Sequence, residues 1–269
     1  MTIIVSTMCE DGKTIVFSSD RMITNSFIEV QFESEQRKID EIGKYCVVLS
    51  SGDALPPIEV LSGIRGKYGS MEDSLVSDIA EDIKKSYQEL KRKKVEDEYL
   101  SPLNMTLAEF YGEKAQNSLD SEILRDTHSK IVNYRLSVEF IVTGIDRFGA
   151  HIYVITDPGS KYCYDAINFY AGGSGSNQAE SLFTYQRYHQ GVSRNKALFS
   201  VFEAKKRAES APGVGKLIDI GFINNESGIY YLGDNEKENL EVIYERKVER
   251  ENQKDINDEV ENLKFGNGK

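Results

Sequence analysis

Any fold for this chain must place strands, helices, strands, helices and strands in that order, because the spacing of apolar side chains switches between the two regular periods along its 269 residues. Residues 2 to 9 and 14 to 20 are β-rich and flank Glu10-Asp11-Gly12-Lys13, whose Asp-Gly pair suits a hairpin turn that needs positive φ. Shorter strands are predicted at Ile39 to Ile42 and Tyr45 to Ser50. Pro56-Pro57 then suits the first turn of a helix, and Ile58, Leu61 and Ile64 follow at helical spacing. Residues 72 to 95 form a second helix, with Ile79, Ile83 and Tyr87 as its apolar stripe and Lys91-Arg92-Lys93-Lys94 ending its solvated face. Residues 95 to 134 are polar, carry scattered helical pieces and read as an insertion. Strand patterns return in Val138 to Asp146, Ala150 to Thr156 and Tyr162 to Ala171, with Asp157-Pro158-Gly159-Ser160 as a turn. Two helical segments follow, the later at Arg194 to Glu209 with Ala197, Leu198, Val201, Phe202 and Ala208 on one side. Lys216 to Asn224 and Ile229 to Leu232 complete the β content of a domain spanning 2 to 233, and 234 to 269 is a charged extension with too few apolar residues for a core of its own.

A net charge of -11 argues against nucleic acid or an anionic membrane as the main partner. No apolar run approaches the roughly 18 residues of a membrane span, so a cytoplasmic protein is expected. Cys9, Cys46 and Cys163 are odd in number and far apart in strand-like segments, which predicts buried thiols rather than a disulfide framework. His128, His151 and His189 have no metal-ligand spacing, and neither a metal nor a cofactor is expected. A histidine-based triad likewise has little support.

The second residue bears on chemistry. Removal of Met1 would leave Thr2 as the free amino terminus of the first strand, placing a hydroxyl nucleophile and an α-amine base, with a usual pKa of about 7.7 to 8.0, on one residue. Four further pieces are Phe17-Ser18-Ser19-Asp20-Arg21 at the end of the hairpin, Arg37-Lys38-Ile39 before the third strand, Leu49-Ser50-Ser51-Gly52, and Ala171-Gly172-Gly173-Ser174-Gly175-Ser176 between a strand and a helix. Each has an ordinary reading as turn, surface lysine, helix entry or flexible loop. The last could also cradle phosphate, but it lacks the Lys-Ser/Thr ending of a P-loop.

Taken together, in this order and spacing, these pieces resemble the proteasome β-subunit family and its bacterial relatives among the N-terminal-nucleophile hydrolases, over residues 2 to 232. The resemblance implies an α+β fold in which two mainly antiparallel sheets lie between helical layers, a four-layer αββα sandwich. It implies a threonine peptidase with Thr2 as nucleophile, Lys38 lowering the pKa of the α-amine, Asp20 orienting Lys38, the Gly52 N–H donating to the oxyanion, and Ser174 holding the α-amine. Gly52 stands fourteen residues after Lys38, which matches the family spacing. Met22, Ile23, Phe27 and Cys46 are candidates for a side-chain pocket. The chain departs from the pattern at Glu209-Ser210-Ala211-Pro212-Gly213-Val214-Gly215, where Glu209 replaces the usual aspartate and Pro212 the usual serine. Pro212 retains only a carbonyl, so amine positioning rests on Ser174, with Glu209 or Ser210 compensating. Peptide or unfolded protein is the implied substrate, and a homo-oligomer, ring-like in the family and reshaped here by residues 95 to 134, is the implied assembly. An unfolding ATPase remains open as a partner. The alternatives are non-degradative acyl transfer, as in a peptide ligase or small-amide hydrolase, and an inactive structural subunit.

Overall fold

The computed structural model describes residues 2–25, 30–35, 37–68 and 74–253. It is a mixed α+β fold with antiparallel sheets. Strands β1 (Ile4–Cys9) and β2 (Thr14–Asp20) form the predicted hairpin. Glu10, Asp11 and Gly12 all take positive φ between them, the conformation for which the Asp-Gly pair is suited. Two short strands follow, β3 (Met22–Asn25) and β4 (Val30–Glu33), paired as a separate ribbon. The sequence reading omitted them, because four residues are too few to establish an alternating pattern.

Next come β5 (Ile39–Gly43), β6 (Cys46–Gly52), α1 (Pro56–Tyr68) and α2 (Val76–Val95). Residues 96–103 continue as short π and 3-10 turns, followed by α3 (Leu107–Phe110), α4 (Glu113–Ser118) and α5 (Ser121–Asn133). This stretch is more ordered than its polarity suggests. Leu100, Met105, Phe110 and Ala115 are buried together, with Leu124 and Ile131 packed against them.

The chain then forms β7 (Val138–Asp146), β8 (Gly149–Thr156), β9 (Ser160–Cys163) and β10 (Phe169–Gly172). The single strand expected over Tyr162 to Ala171 is therefore two, and they belong to different sheets. The break is a turn at Tyr164, whose carbonyl accepts from the N–H groups of both Ile167 and Asn168. Cys163 ends the edge strand β9 and is exposed, correcting the expectation of a buried thiol; Cys9 and Cys46 are buried as expected. Helices α6 (Ser176–Tyr185) and α7 (Arg194–Ala208) precede β11 (Ile218–Asn224) and β12 (Gly228–Tyr231).

One five-stranded sheet has the order β10-β1-β2-β11-β12, the other β5-β6-β7-β8-β9. The period-2 alternation of β7 places side chains in two apolar clusters. Val138, Phe140 and Val142 meet Leu61 and Ile64 of α1 and Ile79, Ile83 and Tyr87 of α2. Ile141 and Ile145 turn the other way, toward Ile4 and Met8 of β1 and Ile15 and Phe17 of β2. Helix α7 packs on β1, β2 and β11, burying Ala197, Leu198, Val201, Phe202 and Ala208 as its pattern predicts. Compact units divide the chain after Tyr231. The second contains α8 (Asp234–Gln253), rich in charge along its length, with a Lys237–Asp234 ion pair in its first turn; the expected frayed end from residue 254 lies outside the described residues. Among the described residues no helix is long and apolar enough to cross a membrane.

Phe140 has no exposed surface and meets the Tyr87 ring edge-on at 6.4 Å. Phe140→Ala is expected to cost about 3–5 kcal/mol in chemical denaturation. Phe148→Ala, on a side chain that is 71% exposed, should stay within about 0.5 kcal/mol of wild type.

Candidate active site

Thr2 lies two residues before β1, whose apolar alternation seals it into the body of the fold; only 1% of it is exposed. Asp20 ends β2 and is fully buried. Antiparallel pairing of these strands brings the two together, and the Asp20 N–H donates to the Ile3 carbonyl at 3.1 Å. Lys38 immediately precedes β5, and its carbonyl accepts from the Ser50 N–H of β6 at 3.2 Å. Asp219 of β11 gathers Arg21, the residue after Asp20, at 2.6 Å and Arg37, the residue before Lys38, at 3.4 Å.

These constraints bring three side chains to one point. The Thr2 hydroxyl donates to Asp20 Oδ1 and accepts from Lys38 Nζ. Lys38 Nζ also donates to Asp20 Oδ1 at 2.8 Å. The other Asp20 oxygen accepts the Gly215 N–H at 2.7 Å. Burial lowers the Lys38 pKa, more strongly than the Asp20 carboxylate opposes it. A lysine so placed releases its proton more readily than one in water.

Ser174 lies in the loop between β10 and α6. Its hydroxyl accepts from the Thr2 backbone nitrogen at 3.3 Å and lies 3.4 Å from the Thr2 carbonyl and 3.2 Å from that of Pro212. Pro212 thus contributes the carbonyl expected of it. Glu209 is engaged elsewhere. Its Oε1 accepts from Lys205 at 2.5 Å and the Ser210 hydroxyl turns to the Arg207 carbonyl at 2.8 Å, so both side chains expected to compensate at Thr2 bond to other groups.

Gly52 ends β6 with φ +102°, a conformation open to glycine, and a side chain there would lie 2.0 Å from the Ser137 carbonyl oxygen. It lies at the junction of two clefts. The larger, of about 630 Å³, is lined by Met22, Ile23, Lys38, Gly52, Leu55 and Ile58 among others. The smaller, of about 290 Å³, is lined by Thr2, Gly52, Glu139, Asp157, Gly173 and Ser174 among others. Of the pocket candidates, Met22 and Ile23 line the larger cleft. Cys46 is instead part of the core against α1 and α2, because its strand alternates toward that face, and Phe27 lies outside the described residues. Among the described residues no group of three His, Cys, Asp or Glu side chains is placed to hold a metal ion.

Sequence reasoning missed the support behind Asp20. Lys205 of α7 is fully buried; its ammonium donates to Glu209 Oε1 and to the Lys216 carbonyl, both at 2.5 Å. It thereby clamps the connection that presents the Gly215 N–H to Asp20. A lysine four residues after Val201 and three before Ala208, in line with the apolar stripe of α7, is the signal that could have revealed it. Lys205→Met would remove the near donor of Glu209, leaving it Lys206 at 3.7 Å, and the Lys205 bond to the Lys216 carbonyl, and is expected to cost about 3 kcal/mol in chemical denaturation. Adding Glu209→Gln should recover part of that loss.

Thr2, Asp20, Lys38 and Ser174 therefore converge, Gly52 borders the clefts beside them, and Glu209 pairs behind them with Lys205. No protein-family model matches the chain, and no curated protein matches it.

Proposed function

We propose that this protein is a threonine-type peptidase that cleaves peptide bonds through Thr2 once Met1 has been removed, on a four-layer αββα scaffold of the N-terminal-nucleophile kind. The observation that carries this reading is the Thr2 hydroxyl seated between Lys38 Nζ and the buried Asp20 carboxylate. A surface threonine has no need of such a pair, whereas a hydroxyl that must lose its proton does. The scaffold reading is supported by apolar contact between the two sheets and by helices packed on each.

In the proposed reaction Thr2 Oγ1 attacks the peptide carbonyl carbon as its proton passes to the freed α-amine, with Lys38 setting the local potential. The Gly52 N–H donates to the resulting oxyanion. Collapse breaks the C–N bond, the α-amine returns the proton to the departing nitrogen, and an ester remains on Thr2. Water then attacks that ester, giving a carboxylic acid and regenerating the hydroxyl. The direction of the substrate follows from the amine. Ser174, which holds the Thr2 nitrogen, lines the smaller cleft, so the leaving nitrogen departs there and the acyl portion occupies the larger. Met22, Ile23, Leu55 and Ile58 suit that larger cleft to an apolar side chain.

Hydrolysis of a peptide with leucine joined to an aminocoumarin tests the reading. Thr2→Ala should abolish turnover, and Lys38→Ala should reduce it by about 10²–10⁴-fold. Lys38→Arg should rescue poorly, because guanidinium has a different shape and a fixed charge. Turnover by Thr2→Ala equal to wild type would overturn the proposal.

A further inference from the structure

We infer that Glu139 is a positioning residue for acyl transfer, whose carboxylate ties the strand end carrying Gly52 to the loop carrying Ser174. The inference rests on the peptidase reading above and assigns a task to a side chain which that chemistry leaves unused.

The register of the second sheet pairs Glu139 of β7 with Ser51 of β6, the residue before Gly52. Side chains opposite each other in an antiparallel pair share a face, and the Ser51 hydroxyl donates to Glu139 Oε2 at 3.3 Å. The other carboxylate oxygen reaches the first sheet, accepting the hydroxyl proton of Tyr170 on β10. The Gly173 N–H, one residue before Ser174, lies close enough to this carboxylate to help hold its pKa down. One side chain therefore holds both sheets where they flank Thr2. Gly172 leaves room for it, since a side chain there would place its first carbon 2.2 Å from Glu139 Oε2.

Ion pairing does not explain an acid at this place. Glu139 shares its face of β7 with Ile141 and Ile145, which pack in the apolar layer between the sheets. Burial pushes its pKa up, the Tyr170 and Ser51 hydroxyls and the nearby Gly173 N–H oppose that shift, and among the described residues no cation forms an ion pair with it. Its hydrogen bonds run to the two chain segments whose separation sets the distance between oxyanion donor and α-amine holder. Release of that tie would let those segments drift, and a displacement of about 1 Å costs on the order of 10²-fold in rate.

The test is steady-state kinetics on the leucyl aminocoumarin peptide with Glu139→Ala, Glu139→Gln, Tyr170→Phe and the Glu139→Ala/Tyr170→Phe double variant. Glu139→Ala should lower kcat by about 10²-fold while KM stays within about threefold. Glu139→Gln, which can still bond to Ser51 and Tyr170, should recover about tenfold of that loss. Tyr170→Phe should lower kcat alone but add nothing in the Glu139→Ala background, because both remove the same tie. A kcat for Glu139→Ala within about twofold of wild type, equal losses in the Gln and Ala variants, or additive losses in the double variant would overturn the inference. If Glu139→Ala does not fold, Tyr170→Phe decides: lowered kcat at constant KM supports the tie, and unchanged kcat overturns it. Wild-type turnover no greater than that of Thr2→Ala overturns the peptidase reading and this inference with it, whereas Thr2-dependent turnover indifferent to Glu139 overturns this inference alone.

Discussion

The buried carboxylate of Asp20 organises this molecule. With no exposed surface it must find its hydrogen-bond donors inside the protein, since an unmet buried charge costs several kcal/mol. They come from distant parts of the sequence: the Thr2 hydroxyl ahead of β1, the Lys38 ammonium at the entry to β5, and the Gly215 N–H in the connection from α7 to β11. Lys205 and Glu209 hold that connection from behind. Strand pairing, the Asp219 ion pairs and the packing of α7 thus converge on one acceptor. The placement of Thr2 beside a lysine with a lowered pKa is a consequence of satisfying it.

The sheets supply the rest of the geometry. Apolar contact between them holds β1 and β2 against β6 and β7, so the Thr2 end of one sheet faces the Gly52 end of the other. Polar ties cross the same layer, Ser6 to Thr143 at 2.9 Å and Glu139 to Tyr170 nearer the clefts. Two spaces open beside Gly52, one where Met22, Ile23, Leu55 and Ile58 stand among charged side chains such as Arg37, Asp40 and Arg65, and one bordered by Thr2 and Ser174. Under the peptidase reading we propose, that asymmetry would give a crossing peptide its direction.

Much of this was legible in the sequence because it is local. Alternation marked β1, β2 and β7, the Asp-Gly pair marked the hairpin, and the Ile79, Ile83 and Tyr87 stripe marked the buried face of α2. The convergence of Asp20, Lys38 and Ser174 on Thr2 was what the family resemblance carried by those motifs implied. What escaped was non-local or short. The β3–β4 ribbon lacks enough residues for a period, the break between β9 and β10 is a turn at Tyr164 between the aromatic pairs Tyr162, Tyr164 and Phe169, Tyr170, and the insertion hides a small apolar cluster in polar sequence. The partners of Glu209, Lys205 and Glu139 depend on packing between elements that no spacing rule connects.

The most direct test of the central claim is intact-mass analysis followed by peptide mapping of protein treated with a hydroxyl-directed electrophile such as a peptide epoxyketone. The account predicts a chain that has lost Met1 and carries one adduct, mapped to Thr2 and absent from Thr2→Ala. A chain that retains Met1 and acquires no adduct at Thr2, or equal labelling of wild type and Thr2→Ala, would contradict it.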